Sequence, residues 1–178
     1  MKNTEEQTIL LIEDNPGDSR LIKEMLNEIT TNNYLIEVAE TLKEGCEQII
    51  KNNFVLILLD LNLPDSTGKA TFDKVVICAD NIPVVLVSGL QDEQLSLSLI
   101  KEGAQDYILK QELNANTLYK TIQFAIERKK LLKEIIKKTH QWEALNSYFT
   151  GREMRMVELK KEVDELLVKL GKEKKYNC

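Results

Sequence analysis

Short apolar runs alternate with helix-patterned segments along the first two thirds of this chain, and that alternation constrains the fold more than any other feature. The runs are Thr8–Ile12, Leu35–Ala39, Phe54–Leu59, Pro83–Ser88 and Asp106–Leu109. Between the first two, Leu21, Ile22, Met25, Leu26 and Ile29 recur at helical spacing. Asn15-Pro16 supplies that helix with a capping side chain and a proline at its first position. Thr41-Leu42-Lys43-Glu44 has the form of a capping box and opens a second helix, with Leu42, Cys46, Ile49 and Ile50 as its expected buried stripe. A third helix is expected from about Lys69 to Ala79, and a fourth from about Glu93 to Glu102, stopping at Gly103. Strands alternating with helices require a parallel sheet covered on both faces. The fold class is therefore α/β and doubly wound.

The chain changes character after the fifth run. Leu118, Ile122 and Ala125 mark a helix whose start packs on the sheet. Beyond it, Leu131, Ile135, Trp142, Leu145, Phe149, Met156, Leu159, Val163, Leu166 and Leu170 keep a 4-3 heptad spacing, with Lys138 and Arg152 in the two remaining seam positions. Lys and Glu are dense between them. The pattern is that of a coiled coil, and the choice of Val163 at a with Leu159 and Leu166 at d favours a parallel homodimer. The alternative is an antiparallel hairpin folded at Thr150-Gly151. The expected organisation is one domain over 1–128 and a helical coiled-coil-like extension over 129–178.

Composition narrows the function classes. A net charge of −5 argues against a broad basic face for nucleic acid. Cys46, Cys78 and Cys178 are odd in number, far apart in sequence and lack CxxC spacing, so neither a zinc site nor a disulfide framework is indicated. The N-terminal residues do not read as a signal peptide, and no apolar stretch approaches the ~20 residues of a membrane span. A cytoplasmic protein is expected.

The polar residues at the ends of the runs point to chemistry. Ile12-Glu13-Asp14-Asn15 ends the first run, and Asp60 ends the third. In a flavodoxin-like sheet of order 2-1-3-4-5, strands one and three are neighbours and their C-terminal ends mark the switch point where ligands bind. Glu13, Asp14 and Asp60 converge there. Clustered carboxylates repel unless a cation sits among them, and Mg2+ suits an all-oxygen set. Ser88-Gly89 ends the fourth run and Leu109-Lys110 the fifth, adding a hydroxyl and an ammonium to the same edge. Carboxylate nucleophile, divalent cation, hydroxyl and lysine are the parts needed to accept a phosphoryl group.

This set resembles the receiver domain of bacterial and archaeal response regulators, and the flavodoxin-like order 2-1-3-4-5 is what that resemblance implies. The matching residues are Glu13-Asp14, Asp60 with Pro64 and Gly68, Ser88, Gly103-Ala104, Asp106-Tyr107 and Lys110, spanning about Thr8 to Arg128. The resemblance implies Asp60 as phosphoacceptor, and Glu13, Asp14, Asp60 and the backbone carbonyl of Asn62 as Mg2+ ligands. It further implies Lys110 and Ser88 as phosphoryl-contacting groups and Tyr107 as an aromatic switch coupled to Ser88. The partner it implies is a sensor histidine kinase or phosphotransfer protein, with no catalysis beyond the domain's own phosphorylation and dephosphorylation. The family often has proline after the lysine; Gln111 stands there, so a trans peptide is expected. His140 lacks the surroundings of a kinase phosphoacceptor histidine and reads as an exposed helix residue, and Trp142 as a packing residue. Two other functions stay open. One is a constitutive coiled-coil scaffold. The other is an Asp-nucleophile phosphatase, against which Asn62 stands where such enzymes resemble one another in carrying a second Asp.

Overall fold

The computed structural model describes residues 7–28, 34–89, 93–173 and 175–176. Ile29 and Cys178 lie outside the described residues. Five parallel strands form the main sheet: β1 (Gln7–Ile12), β2 (Tyr34–Ala39), β3 (Leu56–Asp60), β6 (Val84–Ser88) and β7 (Asp106–Leu109), in the order β2-β1-β3-β6-β7. Two short strands, β4 (Asn62–Leu63) and β5 (Ser66–Thr67), pair as a small antiparallel ribbon after β3. The helices are α1 (Pro16–Asn27), α2 (Leu42–Lys51), α3 (Lys69–Ala79), α4 (Glu93–Lys101) and α5 (Ala115–Lys169). Lys110–Glu112 form one 3-10 turn after β7. The expected flavodoxin-like topology is the one observed.

β3 and β6 are buried at every position, as runs without alternation require in a doubly covered sheet. One layer joins Leu10, Ile12, Ile57, Leu59 and Leu61 to Phe72, Val75 and Leu99 from α3 and α4. The other joins Ile9, Leu11, Leu58 and Val87 to Ile22 and Leu26 of α1 and to Leu118, Ile122 and Ala125 of α5. Burying one Leu or Ile side chain is worth about 1.5–3 kcal/mol, so these two layers, not the loops, hold the strand ends in place.

The caps form as their sequences direct. Asn15 Oδ1 accepts from the Gly17 amide at 2.9 Å, and Pro16 opens α1. Thr41 Oγ1 accepts from the Glu44 amide at 3.2 Å. Glu44 returns a carboxylate oxygen to the Glu40 amide at 3.1 Å, one residue before the cap. After α4, Gly103 takes φ 120° and the Ala104 amide closes onto the Leu99 carbonyl at 3.0 Å.

The structure corrects two readings of the sequence, Ile50 and the hairpin, and adds two features that the pattern does not show. Ile50 does not belong to the buried stripe of α2: it is 77% exposed, and Gly45 takes the inward position. A Cβ on Gly45 would lie 2.5 Å from Ile12 Cδ1, so α2 approaches β1 more closely than any side chain allows. The β4–β5 ribbon has no counterpart in the pattern of apolar runs. It carries Asp65, whose carboxylate accepts from the Leu42 and Lys43 amides at 2.9 and 3.0 Å and so caps α2 from outside. Cys46 and Cys78, distant in sequence, bring their thiols together across α2 and α3; burial first, and the Cys78 thiol second, push the Cys46 thiol up to about 12. Finally, no hairpin forms at Thr150-Gly151. α5 runs through both, and Thr150 Oγ1 bonds the Asn146 carbonyl at 2.9 Å inside it.

The chain divides into two compact units, Met1–Lys130 and Leu131–Cys178. In the second, the heptad side chains from Leu131 to Leu170 are all exposed. Asp164 is the buried exception at 3%, and it accepts from the Lys175 and Tyr176 amides at 2.7 and 3.0 Å, folding the chain end back after Gly171. Among the described residues no helix is long and apolar enough to cross a membrane.

Candidate functional site

The C-terminal ends of β1, β3, β6 and β7 lie side by side because adjacent parallel strands share direction. Glu13 follows β1 directly, and its amide continues the β1–β2 ladder to the Ala39 carbonyl at 3.0 Å. Asp60 is the last residue of β3. Both carboxylates are buried, at 1% and 5% residual exposure, whereas Asp14 is exposed. One carboxylate oxygen from each of Glu13, Asp14 and Asp60 lies within 4.8 Å of the others.

Lys110 supplies the counter-charge. Its Nζ donates to Asp60 Oδ2 at 2.7 Å and to Asp18 Oδ2 at 2.8 Å. Glu13 Oε2 is also 2.8 Å from this nitrogen, as an ion pair. The other oxygens are held by backbone: Asp60 Oδ1 accepts from the Asn62 amide at 2.9 Å, and Glu13 Oε1 from the Asn15 amide at 3.2 Å. The Lys110–Gln111 peptide is trans.

Electrostatics follow from this geometry. Burial pushes the Glu13 carboxyl up to about 7; Lys110 opposes the shift and the Asp60 charge adds to it. Burial alone would lower the Lys110 ammonium, but Asp18, Asp60 and Glu13 together hold it above its usual range. Lys110 thus faces three carboxylates, Glu13, Asp18 and Asp60, with Asp14 close by. Three carboxylates that bring one oxygen each within 4.8 Å of the others, with burial pushing Glu13 up, form an all-oxygen donor set that fits a small hard divalent cation. Glu13, Asp14 and Asp60 are the side chains able to hold it.

Ser88 ends β6 beside Asp60: the β3–β6 register pairs Asp60 with Val87. The Ser88 side chain is fully buried, and its hydroxyl shares a 2.9 Å hydrogen bond with the Ser96 hydroxyl of α4. Tyr107 on β7 is half-buried against the α2–α4 layer of the core. Asn62 is exposed, and its backbone amide donates to Asp60 Oδ1. Sequence reasoning missed Asp18 and Ser96. Asp18 had a signal, as an acid in the first turn of α1 one helical turn beyond Asp14. Ser96 had none, since a small polar residue in a helix pattern reads as surface.

A doubly wound sheet with an acidic pocket and a lysine at its switch point places the chain among α/β proteins whose site lies at the carboxyl edge of a parallel sheet. Residues 9–123 match the model of the response regulator receiver domain, and the chain belongs to that family, which serves two-component systems. It is 27% identical over 162 residues to the cell cycle transcriptional regulator CtrA of Caulobacter vibrioides, covering 85% of this chain and 68% of that protein. It is 32% identical over 117 residues to a protein-glutamate methylesterase/protein-glutamine glutaminase of Bacillus licheniformis, covering 62% of this chain and 32% of that one. Among solved structures, the receiver domain of a putative Luxo repressor protein from Vibrio parahaemolyticus superposes with a TM-score of 0.64 at 27% identity, covering 74% of this chain and 98% of that one. The CheY-like receiver protein of Methanospirillum hungatei gives 0.59 at 26% identity, covering 71% and 98%.

Proposed function

We propose that this chain receives a phosphoryl group on Asp60 from the phosphohistidine of a sensor histidine kinase or phosphotransfer protein, with Mg2+ held by Glu13, Asp14, Asp60 and the Asn62 carbonyl. The observation that carries the reading is the 2.7 Å contact between Asp60 Oδ2 and Lys110 Nζ beside the Glu13–Asp14–Asp60 cluster. An Asp60 oxygen attacks phosphorus, the phosphorus–nitrogen bond breaks, and the electron pair leaves with the donor imidazole. The cation supplies charge neutralisation for the transferring group. Lys110 neutralises a further phosphoryl oxygen, Ser88 hydrogen-bonds the group, and Tyr107 turns inward as Ser88 moves. Catalysis is confined to the chain's own phosphorylation and dephosphorylation.

The receiver unit is read as 1–128 and the output as the helical extension from 129 onward. The exposed heptad face of α5 and its interleaved Lys and Glu support self-association as a homodimer and protein–protein output. The CtrA relative is described as a transcriptional regulator; for this chain the net charge of −5 favours protein contacts over direct nucleic-acid contacts. A cytoplasmic setting accords with a kinase partner. The test is incubation with a small phosphodonor and Mg2+ followed by intact mass. A phosphoryl adduct that disappears in Asp60→Asn is expected; an adduct that survives in that variant, or none in the wild type, overturns the reading.

A further inference from the structure

Lys110 is shared. Its ammonium has three protons, and three carboxylates from three elements crowd it: Glu13 after β1, Asp60 at the end of β3, and Asp18 on α1. Asp18 differs from the other two. Its side chain is 35% exposed, against 0% and 7% for Glu13 and Asp60, and it stands outside the carboxylate group able to hold a cation. Its hydrogen bond crosses 92 residues to Lys110, at 2.8 Å.

A carboxylate in the first turn of a helix is ordinarily explained by the helix dipole. That explanation does not account for Asp18 Oδ2 lying on the Lys110 nitrogen. Nor do the buried carboxylates need Asp18 to fix the ammonium: Asp60 and Glu13 already lie 2.7 and 2.8 Å from it, and Asp18 takes up a further one of its protons. Asp18 therefore holds the ammonium from the α1 side at the same distance as the buried pair holds it from within.

We propose that Asp18 is a positioning residue for Lys110, a counter-ion that competes for the ammonium with an anion bound at Asp60. The inference rests on reading Asp60 as the phosphoacceptor. With a phosphoryl group on Asp60, the ammonium has a choice between its oxygens and Asp18. The Asp18 charge thus lowers the affinity of the site for a phosphoryl-like anion and biases the chain toward its unmodified state.

The test uses the full chain with Mg2+ and beryllofluoride, a noncovalent phosphoryl mimic, titrated by calorimetry at fixed ionic strength. Releasing the ammonium from its competing counter-ion in Asp18→Asn is expected to tighten binding roughly three- to tenfold. Asp18→Glu, which keeps the charge, is expected to return affinity close to wild type. In a Lys110→Met background the Asp18→Asn effect is expected to vanish. Unchanged or weaker binding in Asp18→Asn, or the same gain without Lys110, overturns the proposal; a helix-dipole role would lower thermal stability and leave the titration unmoved. Failure of the wild type to bind the mimic at all sinks instead the phosphoacceptor reading beneath it.

Discussion

The Ser88 hydroxyl at the end of β6 and the Ser96 hydroxyl on α4 form a hydrogen bond of 2.9 Å with no exposed surface on either residue. Each hydroxyl satisfies the other, and water has no access to replace either. Ser96→Ala is expected to cost about 1–2 kcal/mol of stability, because it leaves Ser88 buried and unpaired. The double variant Ser88→Ala/Ser96→Ala is expected to cost less than the two singles added together. Urea unfolding of the four proteins measures the coupling, and strict additivity would refute the pair.

Lys110 is the cation nearest two buried carboxylates, so its loss exposes their mutual repulsion. Lys110→Met is expected to destabilise the metal-free protein by roughly 3–5 kcal/mol at pH 8. At pH 5 the cost should shrink, since Glu13 then takes up a proton. Unfolding midpoints of both proteins at the two pH values check this.

Glu13 gives the metal-free fold a pH dependence of defined sign. Its folded-state carboxyl lies at about 7, above its ordinary 4.5, so the folded chain binds this proton more tightly than the unfolded chain. The resulting stabilisation is complete below about pH 4.5 and is lost as pH rises through 7. Glu13→Gln is expected to flatten that window and to raise stability at pH 8 by roughly 1–3 kcal/mol. Thermal melts in chelator across pH 5–8 would show an unchanged slope if the assignment were wrong.

Gly45 is a packing requirement. Gly45→Ala places a methyl group against Ile12 Cδ1 and is expected to cost about 1–3 kcal/mol. Ile12→Val, which shortens the opposing side chain, should recover part of that loss in the double variant, measured by denaturant midpoint.

The exposed heptad face of α5 predicts self-association. Truncation after Arg128, or Leu159→Asp in the full chain, is expected to lower the sedimentation coefficient at micromolar concentration while Asp60 still accepts a phosphoryl group. A monomer mass for the full chain at micromolar concentration, as for both variants, would remove the homodimer.

Most of the fold was legible because buried parallel strands leave continuous apolar runs, and Asn15, Thr41 and Gly103 punctuate the helices between them. The edge residues Glu13, Asp14, Asp60, Ser88 and Lys110 were legible because each ends such a run. What escaped was set by tertiary approach. Ile50 and Gly45 exchanged roles because α2 comes too close to Ile12 for a side chain. Asp18 and Ser96 acquired partners 92 and 8 residues away, which helical spacing cannot report. The hairpin at Thr150-Gly151 failed because one glycine in a long run of strong helix formers costs only about 1 kcal/mol, too little to break the helix.

The strand order also sets a schedule for folding. β1 lies between β2 and β3, so the carboxylates of Glu13 and Asp60 can meet once the first 60 residues exist. The ammonium that neutralises them arrives fifty residues later in the chain, on the far side of β6 and β7. During synthesis, at about 5–20 residues per second, the acidic edge is therefore assembled seconds before its counter-charge. Closure of the last strand is then more than a final packing step: it ends an interval of electrostatic self-repulsion, and nascent chains stalled before residue 110 should stay open at this edge.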